Sequence, residues 1–263
     1  MTTLRIYPIP AFRDNYIWII HNTASAVAVD PGDALPVLNY LQTNKLQLDA
    51  ILITHHHNDH TGGNRTLLER FDVPVYGPGQ EAIPTVTHPL QDGDTVSLPS
   101  LSLTLAIIDV PGHTSGHIAY FGSLPGAEKK NVLFCGDTLF ACGCGRLFEG
   151  TPQQMYQSLQ KLADLPEDTL VYCTHEYTLS NIGFARTVEP SNSDLQQFEQ
   201  HAKQLRDHNQ PTIPTNIAAE KMCNPFLRCN QPEIIKTVSQ YAGKKLNEPL
   251  DIFITLREWK NNF

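Results

Sequence analysis

Four short apolar runs in this chain each end in a sharp turn that delivers a histidine or an aspartate. Ile51-Leu52-Ile53-Thr54 leads into His55, Ile107 to Gly112 into His113, Val132 to Gly136 into Asp137, and Leu170 to Thr174 into His175. Runs this short and this rich in β-branched residues read as buried strands. In layered α/β folds ligands gather outside the carboxyl ends of strands, so the four turns are expected to converge on one cleft.

Around these runs, strand and helix patterns alternate through about residue 175. Strands are expected at Tyr16 to Ile20, Ala26 to Val29, Ala50 to Ile53, Val73 to Tyr76, Leu101 to Val110, His117 to Phe121, Asn131 to Phe134 and Thr169 to Cys173. Helices are expected at Asp33 to Leu41, near Asn64 to Arg70, and at Thr151 to Leu165. In the last, Thr151 can cap, Pro152 suits the first turn, Gln154 completes a capping box, and Met155, Leu159 and Leu162 share a face. Strands alternating with helices define an α/β layered domain, assigned to residues 1–175. Beyond it strand signals largely vanish. Ser193 and Gln196 make a second capping box opening a helix to about His208, Ile234 to Tyr241 reads as helical, and a last segment ends at Leu256 to Lys260. Residues 176–263 are therefore expected to form a smaller, helical second domain.

The first turn is the densest. Thr54-His55-His56-His57-Asn58-Asp59-His60 places four of the chain's 11 histidines within six positions. In an extended segment residues two apart point the same way, so His55 and His57 can grip one cation while His56 turns away. Asp59 and His60 follow in a tighter turn and aim at a neighbouring point. Two foci suggest two ions, about 3.5–4 Å apart as in dinuclear hydrolytic sites. His113 completes the first focus, His175 the second, and Asp137 bridges both. Imidazole and carboxylate without thiolate suit two divalent ions in an open catalytic site, zinc first, with iron or manganese as alternatives. His117 is expected to support by hydrogen bonding, and His21, His88, His201 and His208 to lie on the surface. Cys142 and Cys144 are weighed as zinc ligands, and the simpler reading is reduced thiols. Cys135 and Cys173, inside strands, are expected to pack in the core.

A net charge of −8, from 19 basic and 27 acidic side chains, argues against a nucleic-acid or anionic-membrane binder. The N-terminal residues lack a basic stretch followed by an apolar one, and no run approaches the ~18 apolar residues of a membrane helix. A cytoplasmic protein is expected, and a monomer.

These residues resemble the metallo-β-lactamase superfamily, which shares His-x-His-x-Asp-His and a four-layered αββα sandwich. The resemblance covers about residues 1–175. Asp30, ending Ala-Val-Ala-Val-Asp, sits where the superfamily carries an acidic residue that supports the metal loop without ligating. The resemblance narrows to the glyoxalase II (hydroxyacylglutathione hydrolase) family through Cys142-Gly143-Cys144-Gly145-Arg146-Leu147-Phe148-Glu149-Gly150 after Gly136-Asp137-Thr138. Thr174-His175-Glu176-Tyr177, Asn224-Pro225-Phe226-Leu227-Arg228 and the terminal Arg257-x-x-Lys260 extend it nearly end to end. It implies a helical substrate-binding C-terminal domain and hydrolysis of S-D-lactoylglutathione to D-lactate and glutathione, as in methylglyoxal detoxification. It also implies metal ligands at His55, His57 and His113, at Asp59, His60 and His175, and at bridging Asp137. Asp59 and Asp137 would position the attacking hydroxide, and Arg146, Tyr177, Arg257 and Lys260 would contact glutathione. Some members carry Lys at Arg146 and Tyr at Phe148, so one hydroxyl contact is absent here. A glutathione persulfide dioxygenase of the same superfamily and a non-catalytic binding module are the alternative readings.

Overall fold

The computed structural model describes residues 4–126 and 130–263. Its first sheet takes six strands in the order β1-β2-β3-β4-β5-β6. These are β1 (Arg5–Ala11), β2 (Asn15–His21), β3 (Ser25–Val29), β4 (Gln47–Leu52), β5 (Val75–Pro78) and β6 (His88–Leu90). Helix α1 (Ala34–Asn44) joins β3 to β4, and α2 (Asn58–Thr61) and α3 (Asn64–Leu68) lie between β4 and β5. The period-2 alternation of strands sorts the apolar side chains onto two faces. Ile17, Ile19, Ala26, Ala28, Ile51 and Ile53 pack with Val37 and Leu41 of α1 and Leu67 of α3. Their neighbours Trp18, Ile20, Val27, Val29 and Leu52 pack instead with Leu105, Ile107, Val132 and Phe134 of a second sheet.

That second sheet runs β14-β13-β10-β9-β8-β7. Its strands are β7 (Thr95–Leu98), β8 (Leu103–Asp109), β9 (Ile118–Leu124), β10 (Lys130–Gly136), β13 (Leu170–Cys173) and β14 (Thr215–Asn216). A short hairpin of β11 (Leu139–Phe140) and β12 (Gly143–Cys144) follows β10, and α4 (Pro152–Ala163) precedes β13. Beyond β13 come α5 (Thr178–Val188), α6 (Ser193–Asp207), α7 (Ile217–Cys223), α8 (Pro232–Ala242) and α9 (Pro249–Asn261). Helix, sheet, sheet, helix is the expected αββα layering with helices appended. Among the described residues no helix is long and apolar enough to cross a membrane.

The capping box of α4 forms, with Gln154 N donating to Thr151 Oγ1 at 3.2 Å and Thr151 N to Gln154 Oε1 at 2.8 Å. Two sequence expectations need correction, the cap of α6 and the place of His21, and two strands, β1 and β14, were not expected. Strand β1 carries Pro8 and Pro10, which disguised it, yet it is an edge strand paired only with β2, where proline is tolerated. Helix α6 is capped by Asn192, whose side chain accepts from Leu195 N at 3.1 Å, so the cap falls one residue before Ser193. His21 is buried, its Nδ1 facing Asn22 O at 2.8 Å and its Nε2 facing the Tyr40 hydroxyl at 3.0 Å, rather than lying on the surface. The helical C-terminal segment also contributes a strand, β14, antiparallel to β13.

That segment grips the β11–β12 hairpin by its backbone. Asn181 on α5 donates to Ala141 O at 3.0 Å, Glu220 on α7 accepts from Cys142 N at 2.9 Å, and Asn224 donates to Gly143 O at 2.9 Å. Arg257 on α9 donates to Cys144 O at 2.8 Å. The hairpin is thus positioned by side chains 40 to 113 residues away.

Candidate metal centre

The four turns do meet. Parallel pairing of β3 with β4, and of β10 with β13, brings their carboxyl ends to one edge of the sandwich. Close packing there leaves no room for side chains at two glycines. A Cβ on Gly32 would stand 1.8 Å from Asp59 O, and one on Gly145 would stand 1.9 Å from Asp137 O.

Donor atoms of His55, His57 and His113 all lie within 4.8 Å of one another, as do those of Asp59, His60 and His175, and those of His55, His60 and Asp137. In the first focus, Nδ1 of His57 is 3.0 Å from Nε2 of His55 and 3.0 Å from Nε2 of His113. In the second, Asp59 Oδ2 is 3.6 Å from Nε2 of both His60 and His175. Asp137 stands between the foci: Oδ2 is 3.4 Å from His113 Nε2 and 3.3 Å from His175 Nε2, and Oδ1 is 3.5 Å from His60 Nε2.

The opposite ring nitrogens settle where the protons sit. His113 Nδ1 faces the carbonyl oxygen of Arg146 at 2.8 Å, His60 Nδ1 the Asp30 carboxylate at 3.0 Å, and His175 Nδ1 the Asp14 carboxylate at 2.8 Å. Each partner only accepts, so Nδ1 carries the hydrogen and Nε2 turns a lone pair inward. The Thr54 hydroxyl donates to Asp30 at 2.7 Å, which leaves its oxygen to accept from His55 Nδ1 at 3.1 Å. Lone pairs and carboxylate oxygens therefore converge with too few hydrogens among them. His60 Nε2 and Asp137 Oδ1 are buried without any hydrogen-bond partner. A buried acceptor left bare is costly, and cations at the two foci would satisfy both. The donor set fits two metal ions.

Burial, and then the neighbouring His60, hold His55 far below the ordinary imidazole range; burial and His113 lower His57. Neutral imidazoles are what a metal needs. Burial alone would raise Asp137, but His175 and His60 outweigh it and keep the carboxyl well below its usual range.

Two supporting residues lie at the amino end of β2, a place the strand-to-turn pattern does not search. Asp14 orients His175, and Asn15 Nδ2 donates to Asp59 Oδ2 at 3.0 Å. Because β2 runs antiparallel to β3, its start shares the sheet edge with the end of β3. Asp30 has a left-handed backbone, φ 50°, tolerated by Asp, and its carboxylate also accepts from Thr54 N at 2.8 Å. His117 is buried and accepts from Asp137 N at 3.1 Å. His56 and the six cysteines stay outside both foci, the cysteines all buried and free.

The cluster floors a cleft of about 850 Å³ that is also lined by Arg146, Phe148, Tyr177, Arg257 and Lys260. The Tyr177 ring stacks on His175 with centroids 4.6 Å apart, and Phe148, exposed at the rim, lies 5.2 Å from His113. Arg257 is only 4% exposed; its guanidinium lies 5.1 Å over the Phe226 ring and its Nε lacks a partner. Lys260 Nζ donates to Ser180 O at 3.3 Å. Among the described residues, Arg146, Arg257 and Lys260 have no carboxylate within 4.0 Å. Three unpaired cations beside one cleft, in a chain of net charge −8, make a locally positive wall.

Fold and cluster together define a metallo-β-lactamase-type protein with His and Asp groups able to hold a dinuclear metal site. Residues 11–175 match the family described as the metallo-beta-lactamase superfamily, and residues 176–263 match the hydroxyacylglutathione hydrolase C-terminus. The chain is 58% identical to a hydroxyacylglutathione hydrolase of Nitrosomonas europaea over 99% of its length and 97% of that protein's. It is 51% identical to one of Vibrio parahaemolyticus, over 99% of this chain and 100% of the other. The crystal structure of ETHE1 from Myxococcus xanthus is similar at a TM-score of 0.63 and 25% identity, covering 98% of this chain and 97% of that one. This chain belongs to the hydroxyacylglutathione hydrolase family.

Proposed function

We propose that the chain hydrolyses S-D-lactoylglutathione to D-lactate and glutathione, using two divalent ions per chain, zinc in preference to iron or manganese. His55, His57 and His113 would hold one ion and Asp59, His60 and His175 the other, with Asp137 standing between the two foci. Such ions supply Lewis acidity, activating water near neutral pH and polarising the thioester carbonyl. The chain's own residues do the rest. Arg146, Arg257 and Lys260 bind the glutathione carboxylates, and Tyr177 borders the peptide. Asp59, held by Asn15, and Asp137 orient the nucleophile over the carbonyl. The departing glutathione thiolate is a good leaving group, so no acid beside it is required.

The observation that carries this reading is the juxtaposition, in one cleft, of the His and Asp cluster with three cations lacking carboxylate partners. The relatives named hydroxyacylglutathione hydrolase support the same substrate class. Residues 1–175 form the catalytic unit and 176–263 the substrate-binding one, in a monomer working in the cytoplasm. The test compares lactoylglutathione with a lactoyl thioester of a short neutral thiol. A kcat/KM at least about 100-fold higher for the glutathione thioester, as loss of two charge-assisted contacts implies, is expected. Equal rates would overturn the assignment of the cationic wall.

A further inference from the structure

Among the described residues three imidazoles carry a carboxylate on Nδ1: His175 with Asp14 at 2.8 Å, His60 with Asp30 at 3.0 Å, and His56 with Glu81 at 2.9 Å. The first two turn their other nitrogen into the dinuclear cluster. His56 turns its Nε2 elsewhere. Glu81 has a side chain only 2% exposed, and every group against it donates. His56 N reaches Oε2 at 2.6 Å, Gly116 N reaches Oε1 at 3.2 Å, and the Thr114 hydroxyl also bonds to Oε1. With Glu81 accepting throughout, Nδ1 of His56 keeps its hydrogen, and Nε2 is the nitrogen left to meet a ligand.

What that nitrogen faces is a second carboxylate. Oε1 of Glu149 lies 3.2 Å from His56 Nε2, while Oε2 of the same carboxylate is taken by Ser115 N at 3.0 Å and Ser115 Oγ at 3.1 Å. An imidazole nitrogen and a carboxylate oxygen this close can share a proton, or a metal ion in its place. His57 offers a third donor atom, and the three donors of His56, His57 and Glu149 lie within 4.8 Å of one another.

We infer that His56, Glu149 and His57 form a third divalent-cation site at the rim of the cleft, one that takes Zn²⁺ and lowers turnover when filled. Two imidazoles and a carboxylate suit zinc, and a carboxylate behind the imidazole is the arrangement that raises its basicity toward a metal. The site is partly exposed and has three protein donors, so it is weaker than the two foci. Occupancy inhibits because His57 belongs both to this group and to the first focus, and an ion here competes for that imidazole. The binding stands independently of the function proposed above; the inhibition rests on it.

The test is equilibrium dialysis of the two-metal protein against rising Zn²⁺, with bound zinc counted by elemental analysis and lactoylglutathione hydrolysis followed in the same samples. A third equivalent is expected, with turnover falling as it binds. Glu149→Gln keeps the first two equivalents and the basal rate but weakens the third by about 10-fold or more, and Glu81→Gln weakens it as well. A protein that turns over with two equivalents and takes no third, or a Glu149→Gln variant that titrates like the parent, overturns the site and leaves the function intact. A third equivalent bound at full turnover overturns the inhibitory role. A protein that holds fewer than two equivalents overturns the proposed function and the third site together.

Discussion

Asp14 and His175 meet at 2.8 Å, carboxylate oxygen to Nδ1, although 161 residues separate them. The contact spans the two sheets, from the start of β2 to the end of β13, and fixes the face that His175 turns toward Asp59 and Asp137. Asp14→Asn, which can no longer hold the Nδ1 hydrogen as a carboxylate does, should weaken metal binding at the second focus by about 10–100-fold. Competition with a chromogenic chelator measures this. Unchanged affinity would mean that His175 is not a ligand.

Lys260 is pushed down to about 8, by burial first and then by Arg257 and Arg146. A lysine is cationic only below its pKa, so its hold on a substrate carboxylate fades as pH rises through about 8. KM for lactoylglutathione should climb over that window while kcat changes little. Lys260→Arg, charged throughout, should flatten the climb. Steady-state kinetics against pH decide it, and identical profiles for the two proteins would remove Lys260 from the binding wall.

How much of this was legible beforehand varied by kind of residue. His55, His57, Asp59 and His60 declare themselves because adjacent ligands in one turn form a local pattern, and His113, Asp137 and His175 because each ends an apolar run. Their supports do not. Asp14 and Glu81 lie in polar loops and Asn15 opens β2, and only the fold brings them beside His175, His56 and Asp59. The same holds for Asn181, Glu220 and Asn224, whose hydrogen bonds go to the backbone of the hairpin and so leave no mark in the hairpin's own side chains. Strand β1 was hidden by its prolines and α5 by its Gly183 and β-branched residues, whereas α4 carried both a cap and an apolar face.

Glu220, fully buried beneath the hairpin, is pushed up to about 7 by burial, against the opposing hydrogen bonds from Asn224 and Cys142 N. Its folded pKa lies above the unfolded one, so between about 4.5 and 7 the native state keeps a proton that the unfolded chain has released. Stability from this group is therefore full below that window and declines as pH rises through it, by an amount on the order of 3 kcal/mol. Glu220→Gln should remove the decline while still accepting from Cys142 N. Urea midpoints of the metal-loaded proteins at pH 5 and pH 8 check the sign, and a parent midpoint that rises no less than the variant's would contradict it.

Phe148, 65% exposed at the rim of the cleft, has no hydroxyl to offer a substrate. Phe148→Tyr should lower KM for lactoylglutathione by about 3- to 10-fold, the worth of one hydrogen bond, with kcat unchanged. An unchanged KM would show that the rim does not touch glutathione.

The central claim is that hydrolysis needs both foci filled, with Asp137 between them. It is tested most directly by stripping the protein with chelator and returning Zn²⁺ in steps, counting bound metal and lactoylglutathione turnover at each step. We predict that turnover approaches its maximum only as bound zinc approaches two equivalents, and that Asp137→Ala never recovers it. Full turnover at one equivalent or none would contradict the account.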